Sequence, residues 1–265
     1  MNLILFEPRE VEAREGALYG ELAPHDPRAV HLLKTLHKTK GGSFEAGIIG
    51  GNRGRGIIVS VAAPVAVTLA LNDPPPPRLP VRLGVGFARP IQLRRILREA
   101  ANMGLESAAF FGTDLGEKSY RQTTLLEDGG ARAAMLEGAI EARDTRFPAV
   151  NRFESVDRWL AGREKPGRRI ALDNVQPQGS FFKESGRSPP ETGYTLAVGS
   201  ERGWSDRERR LLEASGFTRL SIGERALRTE TACIAALVLA MERCPAFFGV
   251  PFDPLSYQPE NTPGF

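Results

Sequence analysis

The sequence predicts an α/β protein in two parts: a small strand-rich module, then a larger domain built on a mostly parallel sheet. Three observations carry this. In the stretch Asn72-Asp73-Pro74-Pro75-Pro76-Pro77-Arg78-Leu79-Pro80, four consecutive prolines cannot continue a helix or join a sheet, and favour an extended spacer. Before it, short apolar stretches are separated by Gly, Pro and Asn turn signals. After it, strand-like and helix-like stretches alternate with short connections, the pattern of a sheet covered by helices on both faces. The expected divisions are a module over 1–71, a linker over 72–80, a domain over 81–244 and an irregular Pro-rich tail over 245–265.

In the first module, strands are expected at 3–6, 18–22, 44–49, 56–61 and 65–71. One helix, 27–37, interrupts them, with Asp26 as N-cap and Val30, Leu33 and Leu36 at helical spacing. Several strands and one helix in so short a span suggest a small β-barrel. In the second part a strand at 81–87 leads into a helix at 90–103, opened by Pro90 and stopped by Gly104. A strand at 108–111 and a helix at 125–143 follow, then an extended piece and a helix at 155–160. Strands at 170–172, 194–198 and 217–221 alternate with helices at 205–215 and 230–243.

Composition limits the chemistry. With 265 residues and 41% hydrophobic content the chain can bury a real core. No apolar run approaches the ~18–20 residues of a membrane span, and the N-terminal segment meets Glu7 and Pro8 too early for a signal peptide. The expected compartment is the cytoplasm. Two cysteines, Cys233 and Cys244, exclude a disulfide framework and read as buried thiols. The three histidines, His25, His31 and His37, do not share a helix face, since their spacing turns a helix by ~240°. Neither CxxC nor HExxH is present, so no metal site is expected.

Net charge is only +3, and any nucleic-acid affinity must come from local patches. Arg28, Lys34, Lys38, Lys40, Arg53 and Arg55 face only Glu45, and Arg78, Arg82, Arg89, Arg94, Arg95 and Arg98 form a second group. Either could bind phosphates, and either could be an ordinary solvated surface.

Gly84-Val85-Gly86 opens like a dinucleotide fingerprint, but Arg89 stands at the third glycine position, so a nicotinamide site is discarded. With no GxSxG and no histidine after His37, serine-hydrolase and histidine acid–base chemistry are unlikely. Two segments stand out. Leu196-Ala197-Val198-Gly199-Ser200-Glu201-Arg202-Gly203-Trp204-Ser205 runs from an apolar strand through a Gly-bounded loop into a capped helix. Leu220-Ser221-Ile222-Gly223-Glu224-Arg225-Ala226-Leu227-Arg228-Thr229-Glu230-Thr231-Ala232 repeats that plan. Both loops fall at strand C-terminal ends, where open α/β sheets place ligand crevices. Ordinary strand-to-helix turns would show the same spacing.

This loop pair resembles the signature of the 16S ribosomal RNA uridine N3-methyltransferases, ribosomal RNA small subunit methyltransferase E, of the SPOUT class. The second loop matches at Gly223, Arg225, Leu227, Arg228, Thr229, Glu230, Thr231 and Ala232. The first keeps Gly199, Glu201, Gly203, Ser205 and Glu208 of a G-P-E-G-G pattern followed by S and a later E, with Ser200 for Pro and Arg202 for Gly. His31-Leu32-Leu33-Lys34-Thr35-Leu36-His37, Asn102-Met103-Gly104-Leu105 and Glu117-Lys118-Ser119 extend the likeness along most of the chain. Near Ile140-Glu141-Ala142-Arg143-Asp144-Thr145-Arg146-Phe147-Pro148 the usual E-Q pair is missing.

The resemblance implies a PUA-like barrel followed by a SPOUT α/β domain with a trefoil knot, a homodimer, and S-adenosylmethionine as cofactor. It implies methylation of uridine N3 in small-subunit (16S) ribosomal RNA. Leu172, Val198, Gly199, Ser200, Glu201, Gly203, Leu220, Ile222, Gly223, Arg225, Leu227 and Thr229 are the expected cofactor residues. Arg228 is expected to stabilise the uracil anion, and Glu201 or Glu230 to orient it or relay the proton. Glu230 could equally be a first-turn acid at its helix N-terminus. Lys34, Lys38, Arg53, Arg55, Arg89 and Arg146 are expected to hold RNA. Two other functions stay open. One is a different SPOUT reaction, such as ribose 2′-O-methylation of transfer RNA. The other is a non-catalytic RNA-binding or ribosome-assembly factor, suggested by Ser200, Arg202 and Ala142.

Overall fold

A computed structural model describes residues 3–14, 16–127, 129–162, 167–183, 190 and 192–244. The expected tail, 245–265, lies outside the described residues.

The first module is a six-stranded mixed sheet in the order β1-β4-β5-β6-β3-β2. Its strands are β1 (Leu3–Phe6), β2 (Val11–Arg14), β3 (Ala17–Leu22), β4 (Ser43–Ile48), β5 (Arg53–Ser60) and β6 (Val65–Asp73). β1 pairs parallel with β4, and the other pairings are antiparallel. Strand β2, Val-Glu-Ala-Arg, is only four residues long and largely exposed, with no large buried apolar side chain, so the sequence pattern had not marked it. The expected helix is α1 (Pro27–Val30), capped by Asp26, continuing as a π-helical turn over His31–Thr35. The wider turn, closed by the Leu36 N–H donating to the His31 carbonyl at 2.9 Å, shifts the helix phase. Ala29 and Leu32 are therefore buried, while Val30 and Leu36, expected on the inner face, are exposed.

The second part is a seven-stranded, wholly parallel sheet in the order β11-β13-β10-β12-β7-β8-β9. Its strands are β7 (Leu79–Gly86), β8 (Leu105–Phe111), β9 (Ala149–Phe153), β10 (Arg168–Leu172), β11 (Gly179–Ser180), β12 (Tyr194–Val198) and β13 (Thr218–Ser221). Helices α2 (Pro90–Asn102), α3 (Gly130–Ala142) and α6 (Thr229–Met241) belong to one face, α4 (Val156–Leu160) and α5 (Asp206–Ala214) to the other. The expected helix at 125–143 starts only at Gly130, after Gly129 at φ 75°. A 3-10 turn, Lys118–Gln122, lies before it.

Strand β7 is buried on both sides, as a central parallel strand must be. Leu79, Val81, Leu83 and Val85 enter the main core. Gly84 faces the other way, where an added Cβ would lie 2.5 Å from the Trp159 ring. The Gly84-Val85-Gly86 run thus serves close packing. Cys233 and Cys244 are buried free thiols, and burial raises the Cys233 pKa.

The parts share a core instead of hanging on a free spacer. In β1, Ile4 and Phe6 enter the first module's core, while Leu3 and Leu5 pack on Ala139 of α3. Polar links reinforce the junction: the Gly50 N–H donates to the Thr145 carbonyl at 2.7 Å, and Arg132 pairs with Glu7. The proline stretch is pinned as well. Arg78 donates to the Phe147 carbonyl at 2.9 Å, and Arg146 to the Pro76 carbonyl.

Candidate active site

The site lies where β10, β12 and β13 end side by side. Loop 199–203 is turned by the Gly203 N–H donating to the Ser200 carbonyl at 2.8 Å. Below it Trp204, 1% exposed, donates its Nε1–H to the Leu172 carbonyl at 2.8 Å, tying the ends of β10 and β12 together. Helix α5 starts at once with a capping box, in which Ser205 and Glu208 satisfy each other's backbone N–H groups. The second oxygen of Glu208 accepts from the Asp114 N–H at 2.8 Å, which locks the loop after β8 to α5. Burial pushes the Glu208 carboxyl up despite these hydrogen bonds.

After β13, the Ser221 hydroxyl accepts from the Gly223 N–H at 3.0 Å and donates to the Gly223 carbonyl at 2.7 Å. Gly223 has φ +137°, a conformation L side chains rarely adopt, and a Cβ there would meet nothing within 4 Å. The glycine therefore serves the turn and leaves open space above it.

After β10 comes Asp173, its side chain 2% exposed. It accepts from Arg209 Nε at 2.7 Å, Arg219 Nη1 at 3.0 Å, the Val175 N–H at 3.0 Å and the Gln176 N–H at 3.3 Å. Burial pushes its carboxyl up, but the hydrogen bonds from Arg209, Val175, Gln176 and Arg219 prevail and hold it below the usual carboxylate range.

These loops enclose an open cleft at the C-terminal edge of the sheet, where such folds place small-molecule sites. The structure gathers around it every expected cofactor residue: Leu172, Val198, Gly199, Ser200, Glu201, Gly203, Leu220, Ile222, Gly223, Arg225, Leu227 and Thr229. Ser221, Ala226 and Ala232 of the second loop line it too, as do Asp173 and Asn174, which had not been singled out. For Asp173 a signal existed: an acid directly after an apolar strand, at the end where such sheets place ligands. The buried Ser200 hydroxyl has no partner among the described residues.

The residues expected to act on the substrate are divided. Glu201 lines the cleft and meets Arg89 at 3.5 Å. Arg228 and Glu230 line a neighbouring hollow with Arg95, Arg98 and Glu99 of α2, and Leu227 borders both spaces. Arg228 is exposed and forms no ion pair among the described residues. Glu230 is buried; one oxygen is 3.5 Å from Arg95 and the other has no partner among the described residues.

The basic residues are also divided. Lys34 is exposed, and Lys38 and Arg55 border a hollow with Arg143 and Glu45. Arg53 donates to the Arg143 carbonyl at 2.9 Å. Arg146 is held in the junction by Pro76 and by Asp144 at 3.7 Å, which commits its partly exposed side chain to the fold. Arg28 is bound by Glu10 at 2.7 Å and Asp26 at 2.6 Å, and Arg82, Arg94, Arg95 and Arg98 are each paired with a glutamate. The apparent basic patches are thus smaller than their residue lists.

Among the described residues there is no helix long and apolar enough to cross a membrane and no cluster of potential metal ligands.

Residues 75–241 match the family model of an RNA methyltransferase domain. The chain is 34% identical over 257 residues, 93% of each chain, to ribosomal RNA small subunit methyltransferase E of Treponema pallidum. It is 26% identical to ribosomal RNA small subunit methyltransferase E 1 of Borreliella burgdorferi, covering 92% of this chain and 98% of that one. The fold is similar to a crystal structure of ribosomal RNA small subunit methyltransferase E from Neisseria gonorrhoeae bound to S-adenosyl methionine. That similarity has a TM-score of 0.69 at 13% identity, covering 92% of this chain and 98% of that one.

Proposed function

This chain belongs to the ribosomal RNA small subunit methyltransferase E family, and from that premise we propose that it methylates N3 of a uridine in 16S ribosomal RNA with S-adenosylmethionine. The observation that carries the proposal is the convergence of loops 172–174, 199–203 and 220–229 on one cleft. The cleft suits the cofactor. Gly199, Gly203 and Gly223 allow backbone to approach a flat adenosyl group, and the unpartnered Ser200 hydroxyl is available to a polar ligand atom. When bound, S-adenosylmethionine supplies a methyl group already activated on a sulfonium.

The protein's work is then to position and deprotonate. Uracil N3–H is a weak acid, and Glu201, at the cleft, is placed to accept its proton as the N3–methyl bond forms. Arg228, uncommitted beside the cleft, is the cation for a carbonyl oxygen of the developing anion, with Glu230 steering it. Because N3 lies on the pairing edge, the target base must be unpaired or turned out. Lys34, Lys38, Arg53 and Arg55 on the first module, with Arg89 near the cleft, would hold flanking RNA. Arg146 is left out of that surface by its place in the junction.

The first sheet is read as a PUA-like barrel and the second part as a trefoil-knotted SPOUT domain. The working form is read as a homodimer, since Ile91 of α2, Val238 of α6 and Leu227 in the loop before α6 expose apolar side chains that a second copy would cover. Arg228→Ala tests the chemistry. S-adenosylmethionine affinity measured by calorimetry should persist, while N3-methyluridine formation on small-subunit RNA falls about 100-fold, as for loss of one oxyanion-stabilising donor. Full methylation by the variant would refute the role.

A further inference from the structure

Beside the cleft, on the β7–β8 side, three elements converge on a polar cluster that the fold does not need. Arg89, the N-cap of α2 in the segment after β7, places its Nε 3.5 Å from Glu201 Oε1 and 3.1 Å from the Tyr120 hydroxyl. Glu201 comes from the loop after β12, and Tyr120 from the 3-10 turn Lys118–Gln122 after β8. The Arg89 side chain is 62% exposed, and an ion pair that open contributes little to stability. Yet its backbone is well determined. Pro90 restricts the preceding residue to extended conformations, and Arg89 has φ −54° and ψ 143°. Two residues before it, the Phe87 N–H donates to the Phe111 carbonyl at 2.8 Å, fixing the segment to β8.

The donors and acceptors left over form a readable set. Glu201 accepts no hydrogen bond among the described residues, so its carboxylate keeps acceptor capacity toward the cleft. Arg89 uses only Nε in these contacts, which leaves both terminal nitrogens as donors. Tyr120 accepts from Arg89, so its own O–H remains free to donate. The cluster therefore offers one acceptor, Glu201 at the cleft, and donors from Arg89 and Tyr120 beside it. Uracil presents the complement on its N3 edge: O2 accepts, N3–H donates, O4 accepts. Cytosine offers an acceptor at N3 and an amino group at position 4, which places acceptor against acceptor at Glu201.

We propose that Arg89 and Tyr120, together with Glu201, form the target-base subsite and select uracil over cytosine by this edge pattern. The proposal rests on the methyltransferase function above, and adds to it the residues that read the base. Arg89 thereby binds the base itself and not merely an RNA phosphate.

Tyr120→Phe and Arg89→Lys test it, measured against an RNA carrying the mapped target uridine and the same RNA with cytidine there. Both variants should bind S-adenosylmethionine within twofold of the natural protein by calorimetry. Each should lose tenfold or more in kcat/KM on the uridine RNA, as expected for loss of a hydrogen bond to a buried polar edge, and the uridine-to-cytidine rate ratio should shrink. Unchanged activity would overturn the proposal. So would a lower rate with an unchanged ratio, the signature of a backbone contact or a structural role. Tyr120→Phe removes one hydroxyl only and decides the matter alone if Arg89→Lys does not fold. Failure of the natural protein to bind S-adenosylmethionine or methylate any RNA would overturn the underlying function as well, and neither variant can mimic that result.

Discussion

Replacing Asp173 by Asn should both loosen the protein and weaken its cofactor cleft. The carboxylate is 2% exposed and receives Arg209 and Arg219, whose side chains are 10% and 11% exposed. Removing one partner of a buried ion pair costs about 3–5 kcal/mol, because the other charge is left unsatisfied. Here each arginine keeps a second acid: Arg209 has Asp206 at 2.9 Å and Arg219 has Glu213 at 2.7 Å. The lower end, about 3 kcal/mol, is therefore expected, and at about 2–4 °C per kcal/mol the melting temperature should drop by about 6–12 °C. Asn retains one oxygen for the Val175 and Gln176 N–H groups, so the loop turn survives while its anchoring arginines do not.

Linkage gives a second readout. The folded-state pKa of Asp173 is depressed, so its contribution is fully present above the unfolded value of about 3.9 and is lost as pH falls through the lower folded value. The melting gap between natural protein and variant should stay constant from about pH 5 to 8 and close only below about pH 4. Thermal melting across that range, with cofactor titration at pH 7, measures both effects. A variant melting within about 2 °C of the natural protein at pH 7, or a gap that persists in acid, would refute the reasoning.

Gly84→Ala places a Cβ 2.5 Å from the Trp159 ring; overpacking of this kind costs about 1–3 kcal/mol, to be read from denaturant unfolding. Trp204→Phe removes the Nε1–H donated to the Leu172 carbonyl at 2.8 Å. It leaves a buried acceptor at the end of β10, so stability should fall by about 1–3 kcal/mol and cofactor affinity should weaken with it. Glu208→Ala strips two backbone N–H groups, those of Ser205 and Asp114, of their acceptor. A cap loss of about 0.5–2 kcal/mol is expected, with faster amide exchange at Asp114 and Ser205 as its local sign.

What the sequence made legible follows from what local patterns can encode. Strand–glycine–helix junctions are local, and the two that end in Gly199 and Gly223 were enough to locate the cleft wall, because parallel strands place such junctions along one edge of the sheet. Partnerships between distant residues are not local. Nothing near Gly84 announces Trp159, nothing near Asp173 announces Arg209 and Arg219, and the two-sided burial of Leu3 through Phe6 shows its cause only when α3 docks on β1. The basic residues show the same limit in the opposite sense. Arg28 and Arg146 read as surface charge in the sequence, yet acids or carbonyls brought in by the fold engage both.

The residues that stay unengaged are then the informative ones. Arg228 makes no pair among the described residues, Arg89 keeps two donor nitrogens, and Ser200 and Glu230 each hold a buried oxygen without a partner. A folded chain satisfies most of its buried polar groups. The partnerless Ser200 hydroxyl at the cleft and the Glu230 oxygen at the neighbouring hollow are exceptions to that rule, and under the proposed function a bound ligand would satisfy them.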